Sequence, residues 1–277
     1  MQQVMKEQIT FSLLGQQWVV NSYGFFMGLA AIAALSLGLY SAHKMGLPFL
    51  RSLMCFIVMT ISVPVGARIL NVAINPTFYA QNAERILAFE PTGFSLLGGL
   101  LLAALTGLIT TRLLKISVWR LGDAVAPGLG IALALMRIGC FLNGCCYGLP
   151  SSLPWAVRFP YGSPAHKYYL AHNHSIGGEF QLGQLLGSPA LHPTQLYEML
   201  AALIAAGLAI FLIKKKTPAG VPCLAAVILF TLTRLGNHFL RVQPPTNEVS
   251  LFFYPIIYIC ILLLAAFLIK LRVEIKA

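Results

Sequence analysis

Residues 121–148 read LGDAVAPGLGIALALMRIGCFLNGCCYG. The part from Leu121 to Leu142 is long and apolar enough to cross about 30 Å of hydrocarbon as a helix, because a crossing takes roughly 20 residues. Moving outward, six more stretches of this kind appear: Val19–Tyr40, Phe49–Val72, Gly93–Leu114, Gln195–Ile213, Ala219–Leu240 and Leu251–Lys270. Backbone in lipid must satisfy its own hydrogen bonds, so each is expected to be a helix. The glycines and prolines within them are tolerated in membrane helices. Composition agrees. The chain is 58% hydrophobic and 10% charged, against about 45–50% and about 25% in soluble domains. A soluble globular protein is excluded. So is disorder, since 17 Phe, 10 Tyr and 3 Trp sit in a chain of low charge. The fold class is an all-α, polytopic membrane bundle of seven transmembrane helices. Residues 1–277 form one transmembrane domain.

The basic residues orient it. The 277 residues carry 19 Lys and Arg against 8 Asp and Glu, a formal charge of +11. Lys44 and Arg51 lie between spans one and two, Arg112, Lys115 and Arg120 between three and four, Lys214–Lys216 between five and six, and Lys270, Arg272 and Lys276 after span seven. The opposite side holds only Lys6, Arg85, Arg158, Lys167 and Arg241. The positive-inside rule therefore places the N-terminus outside and the C-terminus inside. The surplus charge reports topology; the aromatic–basic interleaving of a nucleic-acid binder is absent. The first 18 residues are polar without a basic leader, so no cleavable signal peptide is expected. The one long connection, residues 143–191, lies outside and is expected to fold over the membrane surface as a periplasmic subdomain between spans four and five.

Three arginines remain inside spans: Arg68, Arg137 and Arg234. A charge in hydrocarbon costs roughly 2.5–3.5 kcal/mol on insertion scales, so each marks a functional position by default. With the assigned topology all three lie near the outer ends of their helices, and Arg241 follows just beyond. The same layer collects Asn21, Tyr23 and Gly24 from span one, Gly98 and Gly99 from span three, Asn143, Gly144, Cys145, Cys146 and Gly148 after span four, and His192–Glu198 entering span five. A guanidinium presents a rigid fork that pairs with two phosphate oxygens at once. Phospholipid head groups supply phosphate at this depth. Glycine pairs such as Gly98-Gly99 let a backbone or ligand approach closely. The alternative is that the arginines only pair with Glu198 and helix-end carbonyls.

The block Arg137-Ile-Gly-Cys-Phe-Leu-Asn143-Gly-Cys-Cys-Tyr-Gly148, with Pro154-Trp-Ala-Val-Arg-Phe-Pro160 and His192-Pro-Thr-Gln-Leu-Tyr-Glu198, resembles bacterial prolipoprotein diacylglyceryl transferase. The resemblance covers most of the chain. It implies seven spans with the N-terminus out, a place in the bacterial inner (cytoplasmic) membrane, and transfer of the diacylglyceryl group of phosphatidylglycerol to the lipobox cysteine thiol of a prolipoprotein. The implied partners are phosphatidylglycerol, a prolipoprotein and membrane lipid, with no nucleic acid. A monomer without cofactor or metal is expected. Arg137 corresponds to the family's essential arginine of span four, and Arg234 to the functional arginine of span six. Tyr23, Gly98, Gly99, Asn143, Gly144 and Gly148 match further motif positions.

This chain also departs from the family. Leu97 stands where the resemblance implies a histidine before the glycine pair, Cys140 where it implies asparagine, and Cys145 and His238 where it implies glutamates. The phosphate-binding half is retained and the acid–base half is rewritten. Arg137 and Arg234 suit a leaving glycerol phosphate, whose growing charge needs fixed cations. The thiol must lose a proton, for which His192, His238 and Tyr23 are candidates; His238, one turn after Arg234, is the favoured one. The catalytic set is thus Arg137, Arg234, His238 and Tyr23. The substrate-binding set is Arg68, Gly98, Gly99, Asn143, Gly144, Gly148, His192, Gln195, Tyr197, Glu198 and Arg241.

Cys55, Cys223 and Cys260 read as small apolar residues in helices. Cys140, Cys145 and Cys146 sit beside Arg137, and a guanidinium favours a thiolate. They read as inert thiols, as a disulfide in an oxidising compartment, or as reactive thiols or metal ligands, although no four-ligand zinc pattern is present. The competing functions are a relative acting on another acceptor or lipid, an anion or lipid transporter, and a redox or metal-binding membrane protein. Transporters commonly carry internal repeats and midplane sites. Here no repeat is evident and the arginines gather at one end, which favours the enzyme.

Overall fold

The computed structural model describes residues 8–13, 16–87, 94–172, 187–243 and 250–275. Among the described residues, seven helices are long and apolar enough to span a membrane: α1 (Ser22–Lys44), α2 (Phe49–Ile74), α4 (Leu96–Leu113), α5 (Val118–Leu142), α7 (Thr194–Lys214), α8 (Val221–Leu240) and α9 (Phe253–Glu274). Two short helices, α3 (Pro76–Gln81) and α6 (Pro164–His172), lie in connections. The expected spans and these helices agree to within four residues at each end, because the apolar length that lipid demands is written locally in the chain.

The start of the first span is one difference. Val19 and Val20 belong to strand β2 (Gln16–Asn21), paired antiparallel with β1 (Gln8–Leu13). The helix begins at Ser22 because Asn21 caps it, its Oδ1 accepting from the Tyr23 amide at 2.8 Å. This hairpin precedes the first of the long helices.

Helix α5 is the central one. Buried residues make up 56% of its apolar window, against 11–33% in the other spans. It packs on α1, α7 and α8. Without a hydrophobic drive between helices in lipid, close backbone approach decides these contacts. A Cβ on Gly130 of α5 would lie 2.7 Å from the Ala202 carbonyl oxygen of α7. Helix α7 answers with a stripe of buried alanines: Ala201, Ala202, Ala205, Ala206 and Ala209. The outer surface carries Ile32, Ile61, Ile204 and Leu263, all exposed, as lipid contact requires.

One end of the bundle is basic and tied together by its cations. Arg51 donates to the Leu114 carbonyl at 3.3 Å, Arg120 to the Met45 carbonyl, and Arg272 to the Ala219 carbonyl at 2.8 Å. These bonds join the α1–α2, α4–α5 and α7–α8 turns and the end of α9. Asp123, buried near the start of α5, accepts from the Gly220 and Cys223 amides at 2.7 and 3.0 Å. A carboxylate thereby caps the positive end of α8.

The opposite end carries the long connection. Phe159, Ala165, Tyr169 and Leu191 form a small core there, with Phe141, Tyr147, Tyr168 and Val242 packed against it. Isolated bridges Gly148–Arg241, Pro150–Leu191 and Val157–Leu191 bind this segment to the residues before α7 and after α8. Residues 173–186 of the expected subdomain lie outside the described residues.

Candidate active site

Pro193 ends the long connection and Thr194 starts α7. Thr194, Gln195 and Glu198 then share its buried face. Each has a partner outside α7. Thr194 Oγ1 donates to the Cys146 carbonyl at 2.6 Å, and Gln195 Nε2 to the Cys145 carbonyl at 2.6 Å. These two bonds dock the turn after α5 onto the start of α7.

Glu198 is the hub. Its Oε2 lies 2.6 Å from Arg137 Nε, and its Oε1 lies 2.5 Å from Arg234 Nη1. Asn237 Nδ2 also donates to Oε1, at 2.7 Å. The Glu198 side chain is 3% exposed, that of Arg137 5%, and that of Arg234 17%. Arg234 is held a second time by the Tyr258 hydroxyl of α9 at 3.0 Å. Taking charges from water is costly unless they are paired, and this one carboxylate pairs two arginines brought by α5 and α8. The Arg137 contact is ionic in character: Arg137 Nε and Glu198 Oε2 have no aligned hydrogen bond.

The balance of charge stays positive. Arg137, Arg234 and Arg241 face a single carboxylate, with Glu198 and Arg137 both within electrostatic reach of Arg241. Arg241 Nε is buried and has no hydrogen-bond partner. A layer in which three guanidiniums share one carboxylate, with a buried guanidinium N–H that has no hydrogen-bond partner, is receptive to an anion. Beside it opens a cavity of about 360 Å³, lined by Leu149, Pro150, Tyr168, Tyr169, His238, Phe239, Arg241, Val242, Gln243 and Leu251. Its walls are mainly apolar and aromatic, with charge supplied by Arg241.

The other expected site residues divide by location. His238 lines that cavity, but both its ring nitrogens are engaged, Nε2 with the Leu251 carbonyl at 3.0 Å and Nδ1 with Gln243 Nε2 at 3.3 Å. Tyr23 lies within electrostatic reach of Arg137 and the three neighbouring cysteines. His192 contacts the Tyr197 hydroxyl at 3.3 Å, and Trp155 donates to the same oxygen at 2.8 Å. That trio sits at the half-exposed edge of the loop, its side chains bonded to one another. Arg68 stands on the α2 side, donating to the Tyr79 hydroxyl at 3.4 Å, with its guanidinium 4.2 Å from the Phe94 ring centre.

The glycines serve the backbone. A Cβ on Gly98 would lie 2.3 Å from the Gly66 carbonyl oxygen, and one on Gly99 2.8 Å from that of Val63. The pair brings α4 against α2. A Cβ on Gly148 would lie 2.7 Å from the His192 carbonyl oxygen and 2.8 Å from that of Leu240. Gly144 has φ +67°, which favours glycine, and follows Asn143, the C-cap of α5.

All six cysteines are free thiols. The sulfurs of Cys140, Cys145 and Cys146 lie within 4.8 Å of one another. Arg137 Nη1 is 3.8 Å from Cys140 Sγ. Cys146 takes a left-handed φ of +61°, uncommon for a side-chain-bearing residue. Hydrogen bonds from the Cys140 and Cys145 thiols, then the Arg241 and Arg137 charges, hold the Cys146 thiol well below the ordinary thiol range.

Reading the residues alone missed Asn237, Tyr258 and Asp123. Asn237 follows Arg234 by three positions, a spacing that puts both on one helix face and could have flagged it. Asp123 was legible as a second charge in span four. Tyr258 has no local signal.

The fold and site define a class: a multi-pass membrane helix bundle with a buried, net-positive charge cluster at one end. The sequence signature of the prolipoprotein diacylglyceryl transferase family matches residues 8–272, and the chain belongs to that family. It is similar to the phosphatidylglycerol–prolipoprotein diacylglyceryl transferase of Rhodopirellula baltica, 32% identical over 167 residues, covering 58% of this chain and 34% of that protein. The protein of that name from Nostoc sp. is 31% identical over 212 residues, covering 76% of this chain and 68% of the relative. For that of Clostridioides difficile the figures are 30% over 167 residues, 59% and 65%.

Proposed function

We propose that this chain transfers the diacylglyceryl group of phosphatidylglycerol to the cysteine thiol of a prolipoprotein. The single observation that carries the reading is the surplus of positive charge around Glu198, in a chain whose relatives bear the name of that reaction. The lipid phosphate sits against Arg137, Arg234 and Arg241. The acceptor sulfur attacks the glyceryl carbon, the carbon–oxygen bond breaks, and glycerol phosphate leaves with the electron pair. Its charge grows as the bond breaks, so prearranged guanidinium donors favour the transition state over the bound lipid.

Glu198 is a positioning residue in this scheme. It sets the two guanidiniums and leaves the layer net positive. His238 on the cavity wall and Tyr23 by the thiols are the candidates for handling the acceptor's proton. Gln195, Gly144, Gly148, Asn143, His192 and Tyr197 shape the docked loop above the arginines. Gly98 and Gly99 set the α2–α4 spacing, and Arg68 lies toward that side.

The loop end faces the periplasm, the basic end the cytoplasm, and the membrane is the bacterial inner membrane; the distribution of Lys and Arg supports this orientation. Residues 143–191 act as the periplasmic subdomain, and the working unit is a monomer. The test is transfer of labelled diacylglyceryl from phosphatidylglycerol to a lipobox peptide by purified protein. Product is expected with the wild type and none with Arg137→Ala. Folded wild-type protein that makes no thioether would reject the reading in favour of another acceptor or lipid.

A further inference from the structure

Among the described side chains that could take the acceptor's proton, Glu198 and His238 are already engaged. The nearby carboxylate, Glu198, is committed to two arginines. Both nitrogens of His238 are engaged, one by a carbonyl and one by an amide. The cysteine cluster lies closer. Cys140 Sγ is 3.8 Å from the Arg137 guanidinium that the scheme above assigns to the lipid phosphate.

Three sulfurs within 4.8 Å of one another are near the separation that one shared ion requires. Zinc–sulfur bonds of about 2.3 Å in trigonal or tetrahedral geometry set sulfurs about 3.8–4.0 Å apart. The two loop cysteines are held by their backbones, since Thr194 and Gln195 bind the Cys146 and Cys145 carbonyls. The charges also fit. Three thiolates around a divalent ion make a unit of net charge −1, which needs cationic neighbours in a low-dielectric place. Arg137 and Arg241 are both within electrostatic reach of Cys146, and Arg241 Nε is buried with no hydrogen-bond partner. Cys145 and Cys146 are less buried than Cys140.

We propose that Cys140, Cys145 and Cys146 form a three-thiolate site for a thiophilic divalent cation of the zinc class, whose fourth coordination position takes the acceptor thiol. This rests on the transferase reading. Three protein ligands and one open position is the pattern of catalytic rather than structural zinc. A coordinated thiol is deprotonated outright, so the acceptor proton leaves to water as the sulfur binds. The bound sulfur then forms its bond to the glyceryl carbon. The carbon–oxygen bond breaks toward glycerol phosphate, which departs as an anion beside Arg137, and the thioether product leaves the ion. No electrons are exchanged with an oxidant or reductant.

Cobalt(II) tests the site directly. Full-length protein in detergent micelles, reduced and stripped of metal, is titrated with Co2+. Wild type is expected to saturate stoichiometrically with a near-ultraviolet thiolate-to-cobalt band that Zn2+ displaces. Cys146→Ser should weaken binding at least about tenfold, while Cys55→Ser, far from the cluster, leaves it intact. A peptide with one cysteine should then shift the visible ligand-field bands, and its serine counterpart should not. Wild-type protein that gives no band, or a band that survives Cys146→Ser unchanged, overturns the metal site. Bands unmoved by the cysteine peptide overturn the open position. If cobalt binds but lipid transfer to the lipobox peptide fails, the transferase reading falls and the metal site stands.

Discussion

Glu198 on α7 accepts from Arg234 on α8 at 2.5 Å, and the same carboxylate meets Arg137 of α5 at 2.6 Å. Three helices are therefore fastened by one negative charge. Glu198→Gln keeps the shape and removes the charge, leaving two guanidiniums in a buried place. Breaking a buried pair in this way costs about 3–5 kcal/mol. The midpoint of thermal unfolding in micelles should fall accordingly, and transfer should fall with it. An unchanged midpoint would mean that the carboxylate is not the fastener.

Arg137 has two tasks, pairing with Glu198 and holding the leaving phosphate. Arg137→Lys preserves the charge and loses the fork. It should keep most of the stability but lower kcat by about 10²–10³, the scale set by removing one donor to a growing anion. Arg137→Ala should lose both. Steady-state transfer and unfolding, measured on the same preparations, separate the two effects.

Gly98 of α4 and Gly66 of α2 face each other so closely that a Cβ on either would lie 2.3–2.4 Å from the other's carbonyl oxygen. Gly98→Ala must push the helices apart, at a cost of about 1–3 kcal/mol. Gly28 of α1 has nothing within 4 Å of its added Cβ, so Gly28→Ala should be neutral. Thermal unfolding of the two variants side by side is the check.

Asp123 binds two amides at the start of α8. Asp123→Asn keeps one acceptor and removes the charge from the helix's positive end, for a loss of about 1–2 kcal/mol. Catalysis per folded molecule should not change, because the contact lies at the basic end, away from the Glu198 layer. A variant with full stability and reduced kcat would contradict this division.

The Cys146 thiol is held well below the ordinary thiol range by its two neighbouring thiols and by Arg241 and Arg137. A lowered thiol pKa means that the charged form persists as pH falls. Alkylation of metal-free protein by iodoacetamide should therefore continue at pH values where an ordinary cysteine, with pKa about 8.5, has slowed. Arg241→Ala should move the inflection upward. Peptide mapping of the modified cysteine against pH gives the answer.

The candidate site was legible in its parts and not in its wiring. Arg137, Arg234 and Glu198 stood out because charge in an apolar stretch is conspicuous. That Glu198 holds both arginines could not be read, since 36 and 61 residues separate it from them along the chain. Gly98-Gly99 reads as room for a ligand, and in the molecule it is room for α2. His238 follows Arg234 by one turn, yet its ring nitrogens meet Leu251 and Gln243.

By itself the sequence determined seven apolar helices and their ends to within four residues. Each of these is a local consequence of a solvent that accepts only long apolar helices with their own hydrogen bonds satisfied. Only the tertiary structure decided which charges neutralise one another and which glycines are helix contacts. Those outcomes depend on distances between segments remote in the chain, set by how closely α5 can approach α1, α7 and α8.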